Sequence, residues 1–275
     1  MIDASTAAAR IRGAFAARET IAPFSSDDPA FDLAAAYAVE RELVRLRRAE
    51  GRRTVGRKVG FANKAVWRVM KLDTLVWASM YDDTVRFATG GAATLSTASM
   101  IAPKIEPEIV FKLASPIGGD TADPAAVLGA VEWIALGFEI IDCPYPDWKF
   151  QPVDFVAAYG LHAALVVGTP HAVSAGDAAP LAEQLPKFTV RLLRNGEVVG
   201  EGSGRNSLRS PALCVGELAS AIGKRSDQEP LAAGELISSG TLTEGQLIHA
   251  AETWSAEVEG LAVAPLTLTI HNEAV

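Results

Sequence analysis

The sequence predicts an α+β protein in which a helix-rich segment, residues 1–75, precedes a strand-rich segment, residues 76–275. Apolar residues recur at helical spacing in the first segment, whereas short apolar runs separated by Gly, Pro, Asp and Asn dominate the second. Few helical patterns interrupt these strands, unlike the regular alternation of strand and helix in a βαβ protein. We therefore expect a small helix-rich N-terminal domain and a larger β-rich C-terminal domain.

Two helices are predicted in the first segment. Ser5 is placed to cap an Ala-rich helix that runs to about Arg18. A second helix begins near Asp32, and its opposite face carries charged side chains that are typical of a solvated surface. The apolar positions of this second helix are Ala36, Val39, Leu43 and Leu46.

Seven strand segments are predicted after residue 75. Two of them flank Asn195-Gly196, and this pair predicts a hairpin because both central positions of a type I′ turn need positive φ. Two helices are expected among the strands, at 123–130 and 211–223. The predicted strands are 105–113, 134–142, 162–168, 187–194, 197–201, 254–259 and 265–271.

Three carboxylates occur inside apolar strand segments. Glu106 and Glu108 are two residues apart, so they share one face of a strand, and Pro107 between them suits a strand's first residues or an edge. Two like charges this close repel unless they are protonated or neutralised by a cation. Glu139 is a third acid whose burial without a partner would be costly. The three oxygen donors predict a hard divalent metal, Mg²⁺ or Mn²⁺, although two strand acids facing water are the simpler alternative.

Composition argues against several classes of partner. The net charge is −8 and no Lys/Arg block is longer than two residues, so nucleic acid and anionic membrane are not expected partners. Cys143 and Cys214 have no metal-site spacing and are expected to be buried and reduced. No apolar run approaches a membrane span, and no glycine-rich phosphate loop is present. We expect a cytoplasmic protein.

Four motifs occur in order along the chain: GRKVG at 56–60, KIEPEI at 104–109, GFEIID at 137–142 and SSGT at 238–241. In this order and spacing they resemble the fumarylacetoacetate hydrolase superfamily, and more narrowly its hydratase/decarboxylase branch. Any one motif is weak, but the ordered set is more specific. The resemblance implies a rolled mixed β-sheet domain beside the helix-rich N-terminal domain, and a homo-oligomer.

The resemblance also implies roles for individual residues. Glu106, Glu108 and Glu139 match the metal-holding carboxylates of the family, which would leave roughly three positions of an octahedral ion for water and a 2-oxo acid. Lys58 matches an active-site lysine, although a lone lysine is more often a surface residue. Asp83 matches an acid proposed to transfer protons.

Two of these assignments have open alternatives. A shift of one residue would select Asp82 instead of Asp83, and the Asp-Asp pair is also a plain turn. Ser239, Gly240 and Thr241 match a loop that holds the substrate carboxylate with hydroxyl and backbone N–H groups. A strand-ending turn is the competing interpretation of that loop.

The choice of reaction within the superfamily depends on two further features. Acylpyruvate hydrolases of the family commonly use a histidine near the lid and an aspartate as third ligand, but this chain has no histidine before His162 and has Glu139. We expect the histidines of the chain to be structural or exposed. They are His162, His171, His249 and His271.

The predicted function is therefore that of a metal-dependent lyase acting on a 2-oxo/2-hydroxydienoate, namely 2-oxopent-4-enoate hydratase. The alternative is 4-oxalocrotonate decarboxylase, whose substrate carries a second carboxylate for which Arg205 and Arg209 are candidate cations. An acylpyruvate-type C–C hydrolase and a non-catalytic metal-binding scaffold are further alternatives.

Overall fold

The computed structural model describes residues 2–273, and these contain both helices and strands, which confirms the predicted α+β class. The helices are α1 (Ala4–Ala17), α2 (Phe24–Asp27), α3 (Leu33–Ala49), α4 (Lys64–Met70), α5 (Pro124–Gly129), α6 (Pro152–Ala157), α7 (Ala178–Gln184) and α8 (Pro211–Gly223). The first strands are β1 (Thr54–Gly60), β2 (Val76–Tyr81), β3 (Val85–Phe87), β4 (Ala92–Ser96), β5 (Lys104–Leu113), β6 (Val131–Ile141) and β7 (His162–Val167). The others are β8 (His171–Ala172), β9 (Thr189–Arg194), β10 (Glu197–Ser203), β11 (Leu236–Ser238), β12 (Gln246–Leu247), β13 (Thr253–Glu259) and β14 (Leu266–His271).

The strands form two mixed sheets. The larger sheet has the order β2-β1-β11-β5-β6-β7-β3, with β12 added to β5 and β8 added to β6. Most of its pairs are antiparallel, whereas β1 with β11 and β3 with β7 are parallel. The smaller sheet has the order β10-β9-β13-β14-β4. Strands β5 and β6 are therefore central in the larger sheet, and most of their residues are buried.

The register of the central pair brings the acidic residues together. Glu106 on β5 lies directly opposite Glu139 on β6, and Glu108 lies opposite Gly137. Residues that face each other across an antiparallel pair project from the same face of the sheet. The three glutamates therefore share one face, as the strand pattern predicted for Glu106 and Glu108.

Pro107 lies inside a central strand, not at a strand edge. Its carbonyl accepts a hydrogen bond from Leu242 N–H at 2.9 Å. Pro107 lies in the part of β5 between the residues that pair with β11 and the residues that pair with β12. The N–H and the C=O of one strand residue point to the same side. The N–H that proline lacks would therefore point toward the loop that contains Leu242. Its absence removes no hydrogen bond between paired strands.

The N-terminal helices pack on the rest of the chain through one continuous core that includes Ile11 and Leu43. The second helix begins near Asp32 as predicted, and the Asp32 side chain caps it by accepting a hydrogen bond from Ala35 N–H at 2.9 Å. The cap predicted at Ser5 was wrong, because Asp3 accepts the bond from Thr6 N–H and the helix already begins at Ala4.

Strand β1 comes from the segment before residue 75, yet it hydrogen-bonds to β2 and β11 in the larger sheet. Gly56 permits this close approach, since a Cβ there would lie 1.9 Å from the carbonyl oxygen of Leu236.

The hairpin prediction is confirmed, because Asn195 and Gly196 have φ values of 52° and 86°. No helix within residues 2–273 is both long enough and apolar enough to cross a membrane.

Candidate metal centre and active site

Glu106, Glu108 and Glu139 converge at the centre of the larger sheet. Each offers a carboxylate oxygen that lies within 4.8 Å of the oxygens offered by the other two. Glu108 and Glu139 are fully buried, whereas Glu106 is partly exposed. Carboxylate oxygens in this number and at this spacing are suitable ligands for a hard divalent cation.

One oxygen of Glu108 is held by neighbouring donors and the other is not. Ser238 Oγ donates to Glu108 Oε2 at 2.6 Å, and the Gly240 N–H donates to the same oxygen at 2.8 Å. Within the part of the chain that the structure describes, Glu108 Oε1 has no hydrogen-bond partner. A buried carboxylate oxygen without a donor is costly, and a metal ion would satisfy it. The cluster therefore fits a divalent metal.

Glu139 is contacted at both of its oxygens. Lys58 Nζ lies 2.9 Å from Oε2, and His162 Nδ1 lies 3.0 Å from Oε1. The other ring nitrogen of His162 lies 2.9 Å from Thr84 Oγ1. Lys58 is itself buried, and its ammonium lies 4.9 Å from the centroid of the Phe155 ring. Because a carboxylate only accepts hydrogen bonds, the Nδ1 atom of His162 carries the shared proton.

The three carboxyl groups have different electrostatic environments. Burial raises the pKa of Glu108 well above its usual range, and the charges of Glu139 and Glu106 raise it further. Burial also raises the pKa of Glu106 to about 7, because Lys58 offsets the loss of solvation only in part. Burial also acts to raise the pKa of Glu139, but Lys58 and His162 together lower it below its usual value. Without a metal, the cluster therefore holds protons on Glu106 and Glu108 more readily than on Glu139.

A cavity of about 860 Å³ opens beside this cluster. Among the three glutamates it is Glu106 that lines the cavity, and Lys58 lines it too. Apolar walls come from Phe61, Trp148, Phe150 and Phe155, and further cations come from Lys64, Lys104, Arg205 and Arg209. A concave volume of this size with a few convergent polar groups is typical of a small-molecule site.

The predicted carboxylate-binding loop contacts the site in a different way from the expected one. Gly240 and Thr241 line the cavity, but the Ser239 hydroxyl is buried and donates to the Ile109 carbonyl at 2.8 Å. The Gly240 N–H is directed to Glu108. Gly240 has φ of 92°, and a Cβ there would lie 2.6 Å from the Ala62 Cβ. The loop therefore positions Glu108 as well as forming part of the cavity wall.

Asp83 does not reach the glutamate cluster in this structure. Its carboxylate pairs with Arg47 at 2.6 Å and with Arg52 at 3.3 Å, at the protein surface. Asp82 pairs with Arg53 at 3.2 Å. Strand β2 ends just before this Asp-Asp turn, so both side chains project toward charged residues of the N-terminal segment. Neither aspartate lines the cavity.

His162 and Ser238 contribute to the site although the sequence did not single them out for it. His162, which was expected to be structural or exposed, is buried and contacts Glu139, because it begins β7 beside the strand that carries this acid. Only the adjacency of β6 and β7 gives it that contact. Ser238 belongs to a motif that was identified, but its hydrogen bond to Glu108 depends on the pairing of β11 with β5.

Comparisons with known proteins find similar sequences and a similar fold. The sequence profile of the fumarylacetoacetate (FAA) hydrolase C-terminal family matches residues 69–269. The chain is similar to 2-hydroxyhexa-2,4-dienoate hydratase of Comamonas testosteroni, with 31% identity over 260 residues that cover 94% of this chain and 95% of that protein. It is 29% identical to 4-oxalocrotonate decarboxylase of Pseudomonas sp. (strain CF600), over 86% of both chains.

The fold is also similar to a solved structure of 4-oxalocrotonate decarboxylase from Pseudomonas putida G7, complexed with magnesium and adipate. The TM-score is 0.86 at 25% sequence identity, and the match covers 97% of each chain. These similarities span nearly the whole chain, including the segment before residue 69 that the family profile leaves out.

Proposed function

The chain belongs to the fumarylacetoacetate hydrolase family, and on that premise we propose that it is a divalent-metal-dependent lyase that hydrates 2-oxopent-4-enoate in its 2-hydroxypenta-2,4-dienoate form. The observation that carries the proposal is the cluster of Glu106, Glu108 and Glu139 beside a cavity that also contains Lys58. The product would be a 4-hydroxy-2-oxo acid. The similar proteins named as hydratases belong to the same reaction class.

Glu106, Glu108 and Glu139 would hold Mg²⁺ or Mn²⁺ in this proposal. Bound there, the ion would act as a Lewis acid on the carbonyl oxygen of a 2-oxo acid. The unpaired Oε1 of Glu108 and the shared face of the three carboxylates support this assignment. His162 and Ser238 would fix the orientation of two of these carboxylates, which is a common role of residues that contact metal ligands.

Lys58 is the proposed proton-handling group of the site. Its side chain is buried and lines the cavity, and its Nζ contacts Glu139. Hydration of the dienol requires protonation of the carbon chain before water adds at C4. An ammonium beside the substrate oxygen could stabilise negative charge there or pass a proton to the chain. The aromatic wall near Lys58 would keep unproductive water out.

A second candidate is decarboxylation of 2-oxohex-3-enedioate. It is favoured by the similarity to two decarboxylases and by the two arginines in the cavity. The two reactions make nearly the same demands on Glu106, Glu108, Glu139 and Lys58, because both pass through an enolate next to the 2-oxo group. The arrangement of these four residues therefore supports both reactions.

A direct assay distinguishes the two reactions. The metal-loaded protein is given 2-hydroxypenta-2,4-dienoate and, separately, 2-oxohex-3-enedioate, with Mg²⁺ or Mn²⁺ present. Loss of the dienol absorbance without release of CO₂ supports the hydratase, and release of CO₂ from the second compound supports the decarboxylase. Conversion of neither compound would reject both.

A further inference from the structure

The ring of Phe155 lies against the ammonium group of Lys58 at the cavity wall. Lys58 Nζ lies 4.9 Å from the centroid of this ring, which is within the range of a cation–π contact. Both side chains line the cavity, and both are buried. A lysine carries its charge on a flexible four-carbon stem, so a single position of the ammonium requires neighbours that fix it. The Glu139 carboxylate is one such neighbour, and the ring is another.

Two glycines leave the space that the ring and the lysine stem occupy. A Cβ at Gly60 would lie 2.3 Å from Phe155 Cζ. A Cβ at Gly160 would lie 2.8 Å from Lys58 Cδ and 3.3 Å from Phe155 Cε1. Contacts shorter than 3.0 Å force one of the two atoms to move. An alanine at the first glycine would therefore displace the ring, and an alanine at the second would displace the lysine stem.

The turn that contains the second glycine has an uncommon backbone conformation. The three residues Tyr159–Leu161 have φ of 57°, 59° and 57°, all in the left-handed region. Residues other than glycine persist in this region only where the surrounding structure imposes it. The last carbonyl of the turn accepts a hydrogen bond from Asp142 N–H at 2.8 Å, and the next residue is His162, which contacts Glu139. The turn that packs on the lysine stem therefore leads directly to the histidine on the same carboxylate.

Helix α6, which carries Phe155, is anchored by a buried acid that has no part in the proposed chemistry. The Asp154 carboxylate is fully buried and accepts hydrogen bonds from Ser25 N–H at 2.9 Å and from Gln151 N–H at 2.8 Å. The Ser25 hydroxyl donates to the same carboxylate at 2.5 Å. The Tyr145 hydroxyl donates to the Asp154 carbonyl at 2.9 Å. These hydrogen bonds fix the backbone next to the ring and tie it to α2.

We propose that Phe155 is a positioning residue that holds the Lys58 ammonium between Glu139 and the cavity, where it faces the substrate. The inference rests on the proposed function, in which Lys58 is the proton-handling group. Without the ring, the flexible stem has a free path along the cavity wall, and the ammonium loses its fixed distance from the reacting atoms. Misplacing a catalytic group by about 1 Å can cost about 100-fold in rate. The ring therefore acts on turnover through the lysine.

A double-mutant cycle tests the proposal, because a residue that acts through Lys58 has nothing to act on once Lys58 is replaced. The four proteins are the unmodified chain, Phe155→Leu, Lys58→Met and the double variant. Turnover is measured with Mg²⁺ and whichever of the two candidate substrates the unmodified protein converts. We expect Phe155→Leu to lower kcat by about 10–100-fold and the double variant to have the kcat of Lys58→Met alone. The same loss from Phe155→Leu in both backgrounds would overturn the inference.

The matched control is Phe31→Leu, since Phe31 is a buried phenylalanine of the N-terminal segment that does not line the cavity. This variant should keep the kcat of the unmodified protein. A loss of kcat equal to that of Phe155→Leu would show that any loosened core slows turnover, and would also overturn the inference.

Urea unfolding of the same four proteins without metal measures the coupling of the ring and the lysine independently of turnover. We expect the effects of Phe155→Leu and Lys58→Met on stability to be non-additive, as is usual for side chains in contact. Additive effects would show that the ring does not hold the lysine. If the unmodified protein converts neither substrate, the proposed function is rejected, and the unfolding cycle still decides whether the ring holds the lysine.

Discussion

His162 Nδ1 lies 3.0 Å from Glu139 Oε1, while the other oxygen of the same carboxylate lies 2.9 Å from Lys58 Nζ. A histidine and a lysine from two different strands thus hold one carboxylate between them, at the point where two further glutamates converge. Glu139 is the member of the cluster with a lowered pKa, so it stays ionised where its neighbours tend to be protonated. The charge state of the cluster and its affinity for a metal therefore depend on these two contacts.

Removing the His162 contact should weaken metal binding without abolishing the fold. In His162→Ala, Glu139 loses the donor that fixes its orientation, and we expect Mg²⁺ affinity to fall by about 10–100-fold. Isothermal titration with Mg²⁺ measures the change. His249→Gln is the control, because His249 is exposed and does not line the cavity. Equal affinities in His162→Ala and the control would contradict the assigned role.

Lys58→Met should reduce both activity and stability of the metal-free protein. Proton transfer by a positioned side chain contributes about 10²–10⁴-fold, so kcat should fall within that range. Breaking a buried ion pair costs about 3–5 kcal/mol, and Glu139 would be the uncompensated group. Steady-state kinetics and urea unfolding without metal measure the two effects. Lys149→Met is the control, since Lys149 is exposed on a loop beside the cavity. A similar loss of kcat in the Lys149→Met variant would show that the effect is not specific to Lys58.

Glu106→Ala and Glu139→Ala should lose turnover while the fold is retained. Each removes one of the three proposed oxygen ligands. We therefore expect kcat/KM to fall at least about 100-fold at limiting Mg²⁺, which is more than the effect of losing a residue that only contacts a ligand. Circular dichroism checks the fold. Glu132→Ala, an exposed acid on the same strand as Glu139, is the control. Unchanged turnover in both cluster variants would rule out the metal mechanism.

The metal-free protein should become less stable as the pH rises toward 7. The pKa of Glu106 is raised to about 7 from an ordinary value of 4.5, and burial raises the pKa of Glu108 well above its ordinary value too, so the folded state binds more protons than the unfolded chain in this interval. Stability from these groups is complete below the unfolded pKa and is lost as the pH rises through the folded pKa. Mg²⁺ should flatten the dependence, because it stabilises the ionised carboxylates.

Thermal unfolding across this pH interval, in EDTA and in Mg²⁺, measures the dependence. The Glu106→Gln variant cannot titrate at that position, so its metal-free stability should decline less steeply than that of the unmodified protein. Parallel curves for the two proteins in EDTA would show that Glu106 does not carry the effect.

Gly240→Ala should destabilise the protein by about 1–3 kcal/mol, because the φ of 92° is strained for a residue with a side chain and the new Cβ would meet Ala62. Denaturant unfolding measures the change, and metal affinity should fall with it, since the Gly240 N–H donates to Glu108. Gly13→Ala in α1 is the matched control. No atom lies within 4 Å of the Cβ that it would add, so that variant should be slightly more stable than the unmodified protein.

The sequence by itself determined the strands that carry the acidic residues and the hairpin at Asn195-Gly196. Alternation along β5 was enough to place Glu106 and Glu108 on one face, because side-chain direction in a strand follows a period of two. The start of α3 near Asp32 was also predicted, since the helical spacing of its apolar residues is a local pattern. These features are local, so neighbouring residues suffice to define them.

Only the tertiary structure decided which of the chemically capable side chains meet. The register of β5 with β6 places Glu106 opposite Glu139, and the adjacency of β7 brings His162 to that carboxylate. Asp83 resembled a catalytic acid in sequence, but the turn after β2 directs it to Arg47 and Arg52. Contacts between distant segments depend on strand order and register, which are set by packing of the whole core and not by the residues on either side of a motif.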